Sequence, residues 1–551
     1  MAPDEGGDVT DGLMMHRPLL QSGLLDFAAE GFPAAEIVSR RVEGDLHRQG
    51  WAATRARAVQ LSLALEEMGV APGDRVATLA WNGHRHLEIY HAVPAIGAVC
   101  HTINPRLSAE QMVFIAHHAG DRMLFVDLTF VPLLEALRDR LPPMRYVVMT
   151  DAAHMPDTAL DALCYEDLLA GRATGRTWPH FPETTASGLC YTSGTTGDPK
   201  GGLYSHRSNM LHALATAAVL GPDLGPQPRI LPVVPLFHVN AWGLPFTAPL
   251  IGASLIMPGP ALDGASLWDL CEAEAVDSAW GVPTIWQGLM AEIKTRGAKP
   301  RALRHIVVGG SAMPRSLTEA FEGMGIDVNH AWGMTETSPL GSQGSLTPVQ
   351  RALPFDQRMA LKQAQGRRVF GVEMKIVDDA GQRQPHDGQA MGELFVRGNT
   401  VAAGYHDNAD ATARAVDAEG WFGTGDIASI SAEGVLTLRD RAKDLIKSGG
   451  EWISSIDVEN LALTHPDVAQ CAVIALPHPK WDERPLLVVK PRGDTRPTLE
   501  DVCAVLRPHL ASWQLPDDIV FVDDMPLTAT GKISKLTLRE RFAVHVLPDL
   551  R

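Results

Sequence analysis

Tyr191-Thr-Ser-Gly-Thr-Thr-Gly-Asp-Pro-Lys-Gly201 follows the apolar run Ser187-Gly-Leu-Cys190. Small hydroxylated residues alternate with glycines, and a lysine closes the run. Glycine lets a backbone approach a polyphosphate and aim N–H groups at it. Thr192, Ser193, Thr195 and Thr196 add hydroxyl donors around Gly194 and Gly197, and Lys200 adds charge. The string is not the GxxxxGK[ST] phosphate loop, because Gly201 follows Lys200 and the glycine spacing differs. Taken alone it also fits a Gly/Ser/Thr surface loop, so its surroundings decide the reading.

Upstream, strand and helix alternate. Ser108-Ala-Glu-Gln111 is a capping box whose helix stops at Gly120. Met123-Leu-Phe-Val-Asp127 is a short buried strand, a helix follows over 133–141, and Arg145-Tyr-Val-Val-Met149 is the next strand. Such units predict a largely parallel, helix-covered sheet. The rhythm returns at 230–235, 254–257 and 305–308. From Gly371 the texture changes to short strands between Gly, Asp and Asn turns, at 371–377, 392–397 and 434–438. That predicts a small antiparallel, barrel-like β-subdomain over 371–440. Beyond Asp440 a separate α+β unit is expected, with strands at 471–474 and 486–489 and a helix at 498–506 capped by Thr498. The expected fold is α/β: a 1–440 domain of two mostly parallel sheets plus that subdomain, and a mobile 441–551 lid. No linker separates them, so the boundary reads as a hinge.

The bulk numbers bound the function. A chain of 551 residues is long enough for several structural units. Its 48 Lys and Arg against 65 Asp and Glu give a net charge of −17, which argues against nucleic acid as a partner. The start, MAPDEGGDVTDG, lacks a basic, apolar leader, and no stretch approaches the ~20 apolar residues of a membrane helix. The six cysteines include no CxxC pair and read as reduced, buried thiols of a cytoplasmic protein.

Further strings follow the glycine-rich one in order. They are Gly309-Gly-Ser-Ala312, His330-Ala-Trp-Gly-Met-Thr-Glu336, Trp421-Phe-Gly-Thr-Gly-Asp426, Asp440-Arg-Ala-Lys-Asp444 with Ile446-Lys-Ser-Gly-Gly450, and Pro526-Leu-Thr-Ala-Thr-Gly-Lys532. Together they resemble the adenylate-forming superfamily of acyl-CoA synthetases, firefly-type luciferases and peptide-synthetase adenylation domains. The resemblance runs from about residue 16 to the end.

It implies an ATP-dependent acid–thiol ligase. A carboxylate is a poor electrophile; attack on the α-phosphate of ATP gives it AMP as a leaving group, and the thiol of coenzyme A then displaces AMP. Because the first step brings anions together, catalysis rests on positioning and charge neutralisation. By resemblance, Lys532 bridges the acid's carboxylate and the α-phosphate. Glu336 holds Mg2+ with Thr195 nearby. Asp426 takes the ribose hydroxyls, Arg441 adds a cationic fork, and Trp332 stacks on adenine. Gly310, Ser311, Ala312, His330, Ala331, Gly333, Met334 and Thr335 complete the nucleotide site. Lys443 sits at the hinge, and Ser448, Gly449, Gly450, Glu451 and Trp452 fall where family members pass the pantetheine arm. Solvated charge is the plainer reading of Lys443 and Lys447.

Val234-Pro-Leu-Phe-His-Val-Asn-Ala-Trp-Gly-Leu-Pro-Phe246 resembles the acyl-pocket segment. It places His238 near the substrate carboxylate and Trp242 near the acyl path, with Gly310 and Gly333 also facing substrate. A structural histidine is the competing reading for His238, and Phe237, Leu244 and Phe246 fit core as well as pocket. With His101-Thr-Ile-Asn-Pro-Arg106 and Lys447-Ser-Gly-Gly-Glu-Trp-Ile-Ser-Ser455, the segment is most similar to bacterial medium- and long-chain fatty acyl-CoA synthetases and 3-methylmercaptopropionate–CoA ligases. The acid is thus a fatty acid or a short thioether acid. An amino-acid adenylating enzyme and a catalytically silent AMP-binding regulator are the alternatives, and assembly as a homodimer is left open. Two positions depart from the pattern: Gly202 stands for the usual Val, and Gly423 for the usual Arg.

Overall fold

The computed structural model describes residues 12–192, 198–528 and 532–548. Its first sheet has seven strands in the order Ala162–Cys164, Arg145–Val148, Asp121–Val126, Arg75–Leu79, Val99–Thr102, Ala186–Thr192, Lys200–Ser205. All neighbours pair in parallel except the last two, which form an antiparallel hairpin. The predicted capping box is present: Ser108 Oγ accepts from the Gln111 amide, and Gly120 ends the helix Ala109–Ala119 in the left-handed region at φ 65. The helix expected over 133–141 begins at Val131 and tightens to a 3-10 turn at Arg138–Arg140, ahead of Pro142 and Pro143.

The second sheet is a thirteen-strand ribbon. Its parallel half runs Asp327–Gly333, His305–Val308, Ser278–Gly281, Arg229–Pro232, Ser254–Met257, Glu36–Arg40. Buried hydrophobic runs such as Ser-Leu-Ile-Met at 254–257 suit strands covered on both faces. The helices Trp51–Glu67, His84–Ala95 and His206–Leu224 pack with both sheets, and Trp51, Leu61, Phe125, Tyr165, Leu255 and Trp280 belong to one core.

The β-subdomain is continuous with this sheet. The strand Asp327–Gly333 pairs in parallel with His305–Val308 through Asp327–His330, then antiparallel with Leu340–Gln343 through Ala331–Gly333. Antiparallel pairing therefore begins well before Gly371 and continues through Gly366–Arg368 to the strands Val372–Val377, Gly392–Gly398, Phe422–Ile430 and Val435–Arg441. The cause is tertiary: one strand changes partners midway, with no break in its own sequence texture.

After Arg441 the chain enters a smaller sheet built on Val468–His478 and Asp482–Pro491. Asp440, buried at the crossing, accepts from the Ser455 amide and hydroxyl at 2.7 and 2.6 Å. Thr498 caps the helix Leu499–Leu506, as read from sequence.

One buried ion triad fixes the strand that changes partners. Lys362 Nζ lies 2.5 Å from Asp327 and 2.6 Å from Glu322, and donates to the Val328 carbonyl at 2.9 Å. Removing one member of a buried pair strands the other charge. Lys362→Met is expected to cost about 3–5 kcal/mol, seen as a lower urea midpoint; an unchanged midpoint would refute the role.

Candidate functional site

A cleft of about 600 Å3 opens between the first sheet's hairpin, the C-terminal ends of the second sheet's parallel strands, the antiparallel ribbon and the C-terminal unit. It gathers Thr192, Lys200, His238, Trp242 and Gly310 with Ala331, Trp332, Gly333, Met334, Thr335 and Glu336. Arg441, Lys443 and Lys532 reach it from the other side. Ser193, Gly194, Thr195, Thr196 and Gly197 lie outside the described residues.

Lys532 is tied to Thr528. Its amide donates to Thr528 Oγ1 at 3.2 Å and its carbonyl accepts from the Thr528 amide at 2.7 Å. The side chain reaches Gly310 so closely that a Cβ there would stand 3.4 Å from Cε and 3.8 Å from Nζ. Gly310 has φ +83, a conformation that favours glycine. Burial in the cleft, reinforced by Arg441, pushes the Lys532 ammonium down to about 8.

Asp426 lies behind the wall. One oxygen accepts from Trp332 Nε1 at 2.8 Å and the other meets Arg441 Nε at 2.9 Å. Trp332 lies so close to Gly341 that a Cβ there would be 2.3 Å from the indole. Gly333 passes the Pro339 carbonyl at a distance that leaves no room for a Cβ, and the Met334 amide donates to the same oxygen at 3.1 Å. Glu336 is buried. Burial pushes its carboxyl up, and the Tyr405 hydroxyl, donating at 2.7 Å, opposes that rise. Lys200 Nζ sits 5.0 Å from the Tyr405 ring. His238 is half-buried, and burial with Lys532 and Arg106 nearby pushes its imidazole down to about 3, so it is neutral.

Other expected residues stand elsewhere. His330 is buried in a second row, its Nε2 3.3 Å from the Ser311 carbonyl; Ser311 and Ala312 do not line the cleft. Ser448, Gly449 and Glu451 border a separate recess on the C-terminal unit, beside Trp481 and Trp513. Trp452 faces another, against the antiparallel ribbon, and Gly450 lines neither. Phe237, Leu244 and Phe246 are core. The two departures have local correlates: a Cβ on Gly202 would press Thr335 at 3.1 Å, and Gly423 lies against Phe395 and Glu393.

Sequence reasoning missed Tyr405, Thr216, Leu220 and Trp280, which also line the cleft. No local pattern marks them; each arrives through pairing or helix packing.

The family described as AMP-binding enzyme matches residues 25–406, and AMP-binding enzyme C-terminal domain matches residues 457–532. The 3-methylmercaptopropionyl-CoA ligase of Ruegeria lacuscaerulensis is 48% identical over 539 residues, covering 96% of this chain and 98% of its own. The medium-chain-fatty-acid–CoA ligase of Ectopseudomonas oleovorans is 45% identical, covering 96% and 97%. Among solved structures, anthranilate CoA ligase AuaEII with anthranoyl-AMP superposes with a TM-score of 0.84 at 25% identity, covering 96% of this chain and 99% of that one.

Tyr405→Phe removes the donor that opposes the upward shift of the Glu336 carboxyl. The acid limb of the pH–rate profile is expected to move to higher pH, with activity at neutral pH down about tenfold. An unmoved limb would detach Glu336 ionisation from activity.

Proposed function

The chain belongs to the AMP-binding enzyme family and is an AMP-forming acyl-CoA ligase, and from that premise we propose which groups carry its two half-reactions. In the first, a carboxylate oxygen attacks the α-phosphorus of ATP, the bond to the bridging oxygen breaks, and pyrophosphate leaves. In the second, the thiol of coenzyme A attacks the acyl carbon, loses its proton, and AMP leaves with the former carboxylate oxygen.

Lys532 carries the first step. The supporting observation is its ammonium beside Gly310, in the cleft that also holds Lys200, Glu336 and Arg441. A fixed cation there offsets charge that develops between two anions, in a site where little water competes. Neutral His238 orients the acid by hydrogen bonding. Asp426, one layer behind the cleft wall, holds Trp332 and Arg441 in place beside the ribose. Lys200 and Thr192, at the base of the hairpin, face the phosphates.

The residues fit Mg2+. Glu336 is a buried carboxylate that calls for positive charge, and no cluster of three or more His, Cys, Asp or Glu able to hold a metal occurs among the described residues. A cation bound there would take most ligands from phosphate and water, as Mg2+ does. Glu336 would hold it, and the ion would supply neutralisation of the phosphate charge.

We assign the acyl chain to the part of the cleft lined by Val239, Trp242, Trp280 and Val307; none of these four is a carboxylate to meet an ammonium, which favours a plain acid over an amino acid. The substrate is a fatty acid or a short thioether acid, as for the relatives named above. In this reading the C-terminal unit turns after adenylation about the hinge that holds Lys443, withdrawing Lys532 and bringing the 448–452 segment toward the cleft to admit the thiol. All six cysteines are free and buried, in keeping with the reducing cytoplasm, and no helix among the described residues is long and apolar enough to cross a membrane.

The test is AMP and pyrophosphate release with a panel of acids, with and without coenzyme A. Acid-dependent release, completed by acyl-CoA formation, is expected; no release with any acid would overturn the reading. Lys532→Ala is expected to cut adenylation by about 100-fold or more while thioester formation from supplied acyl-AMP largely survives; equal loss of both would refute the assignment. The free enzyme loses the Lys532 charge as pH rises through about 8, so kcat/KM for ATP should fall there. Lys532→Arg, whose guanidinium stays charged, should move that limb upward.

A further inference from the structure

The acyl branch has a definite depth. Lys532 marks the reacting end at Gly310, just beyond the strand His305–Val308, and Val282 approaches the same glycine from the end of Ser278–Gly281. Trp280 and Val307 are paired across these two parallel strands, two residues before Val282 and three before Gly310. Two to three residues of strand rise about 7–10 Å, the reach of a short or medium acyl chain and not of a palmitoyl one. The opposite wall is the helix His206–Leu224, which presents Thr216 and Leu220, one turn apart. Trp242 closes a third side: its ring lies over Gly309, where a Cβ would be 3.2 Å away.

Trp280 is a fixed wall. It is 1% exposed, and its Nε1 donates to buried Ser278 Oγ at 3.1 Å. Leaving that position would orphan a buried indole N–H and break core packing.

Thr216 is the polar contact of this branch. A threonine inside a helix commonly bonds back to the carbonyl four residues earlier. Thr216 Oγ1 instead lies 3.4 Å from His212 Nε2, in the ring of the residue one turn before. His212 is 1% exposed, its Nδ1 has no hydrogen-bond partner, and burial keeps the ring neutral. An orphaned buried N–H is rarer than an orphaned lone pair, so unpartnered Nδ1 is the bare nitrogen and Nε2–H donates to Oγ1, which leaves the Thr216 hydroxyl hydrogen for the branch that Thr216 lines. An aliphatic tail leaves it unsatisfied; a thioether sulfur, a weak acceptor, does not.

We propose that Trp280 and Thr216 determine the acid: a short blind branch that ends on the indole and offers one hydroxyl to a thioether-like atom in the chain. The proposal rests on the acyl-CoA ligase reading and adds the substrate class to it. 3-Methylmercaptopropionate and pentanoate have the same heavy-atom count, with sulfur replacing one methylene. The intact enzyme should use the thioether about five- to tenfold better by kcat/KM, and palmitate at least about 100-fold less well than pentanoate.

Thr216→Val keeps the shape and removes the hydroxyl. It should bring the thioether-to-pentanoate ratio to about one and leave the KM for ATP unchanged. Trp280→Ala should raise octanoate relative to pentanoate by about tenfold or more; Leu220→Ala, a smaller cut in the facing wall, should do the same to a lesser degree and serves where Trp280→Ala does not fold. Palmitate used as well as pentanoate by the intact enzyme, or a thioether preference that survives Thr216→Val, would overturn the proposal and leave the ligase intact. No AMP release with any acid would instead remove the ligase reading on which it stands.

Discussion

The carboxylate of Asp426 holds three parts of the molecule at one point. Trp332 belongs to the strand that ends the parallel sheet, Asp426 to the antiparallel ribbon, and Arg441 to the last residues before the C-terminal unit. A buried carboxylate is costly unless its oxygens are engaged. The pair of contacts therefore fixes the ribbon against the sheet and sets the indole and the guanidinium side by side in the lining of one cleft. Glu336, Lys200 and Lys532 occupy the space that this arrangement leaves.

The cleft works against ordinary ionisation. Burial raises Glu336, lowers Lys532 and neutralises His238. Each group is held in a setting poor in water and short of counter-charge, the condition under which a polyphosphate with its own charge is welcomed. Tyr405 moderates the tension at Glu336, and its ring meets Lys200 on the other side. One tyrosine thus links the carboxylate to the lysine that closes the glycine-rich string.

The segment from Val239 to Gly243 runs through consecutive left-handed residues, with φ of 50, 54, 45, 56 and 78. Four of the five are not glycine, and such backbone persists only where surrounding packing dictates it. Asn240 Oδ1 accepts from Tyr90, and Gly243 lies where a Cβ would meet the His212 ring at 2.3 Å. The turn aims His238 and Trp242 at the cleft, and His212 joins it to Thr216 in the acyl branch. The reacting end and the tail of the acid are thereby read by one packed unit.

Local chemistry was legible where the physics is local. The capping box at Ser108 and Gln111, the stop at Gly120, the Thr498 cap and the apolar runs 254–257 and 305–308 all depend on near neighbours, and the residues state them outright. The ordered strings from Thr192 to Lys532 likewise carried the family and its chemistry, because phosphate and carboxylate demand particular side chains. Tertiary structure alone decided where the antiparallel ribbon starts, since the strand Asp327–Gly333 changes partners without changing texture. It alone brought Tyr405 to Glu336, and Thr216 and Trp280 to one branch. Those contacts join residues far apart in the chain, and a sequence records which groups exist long before packing settles which of them meet.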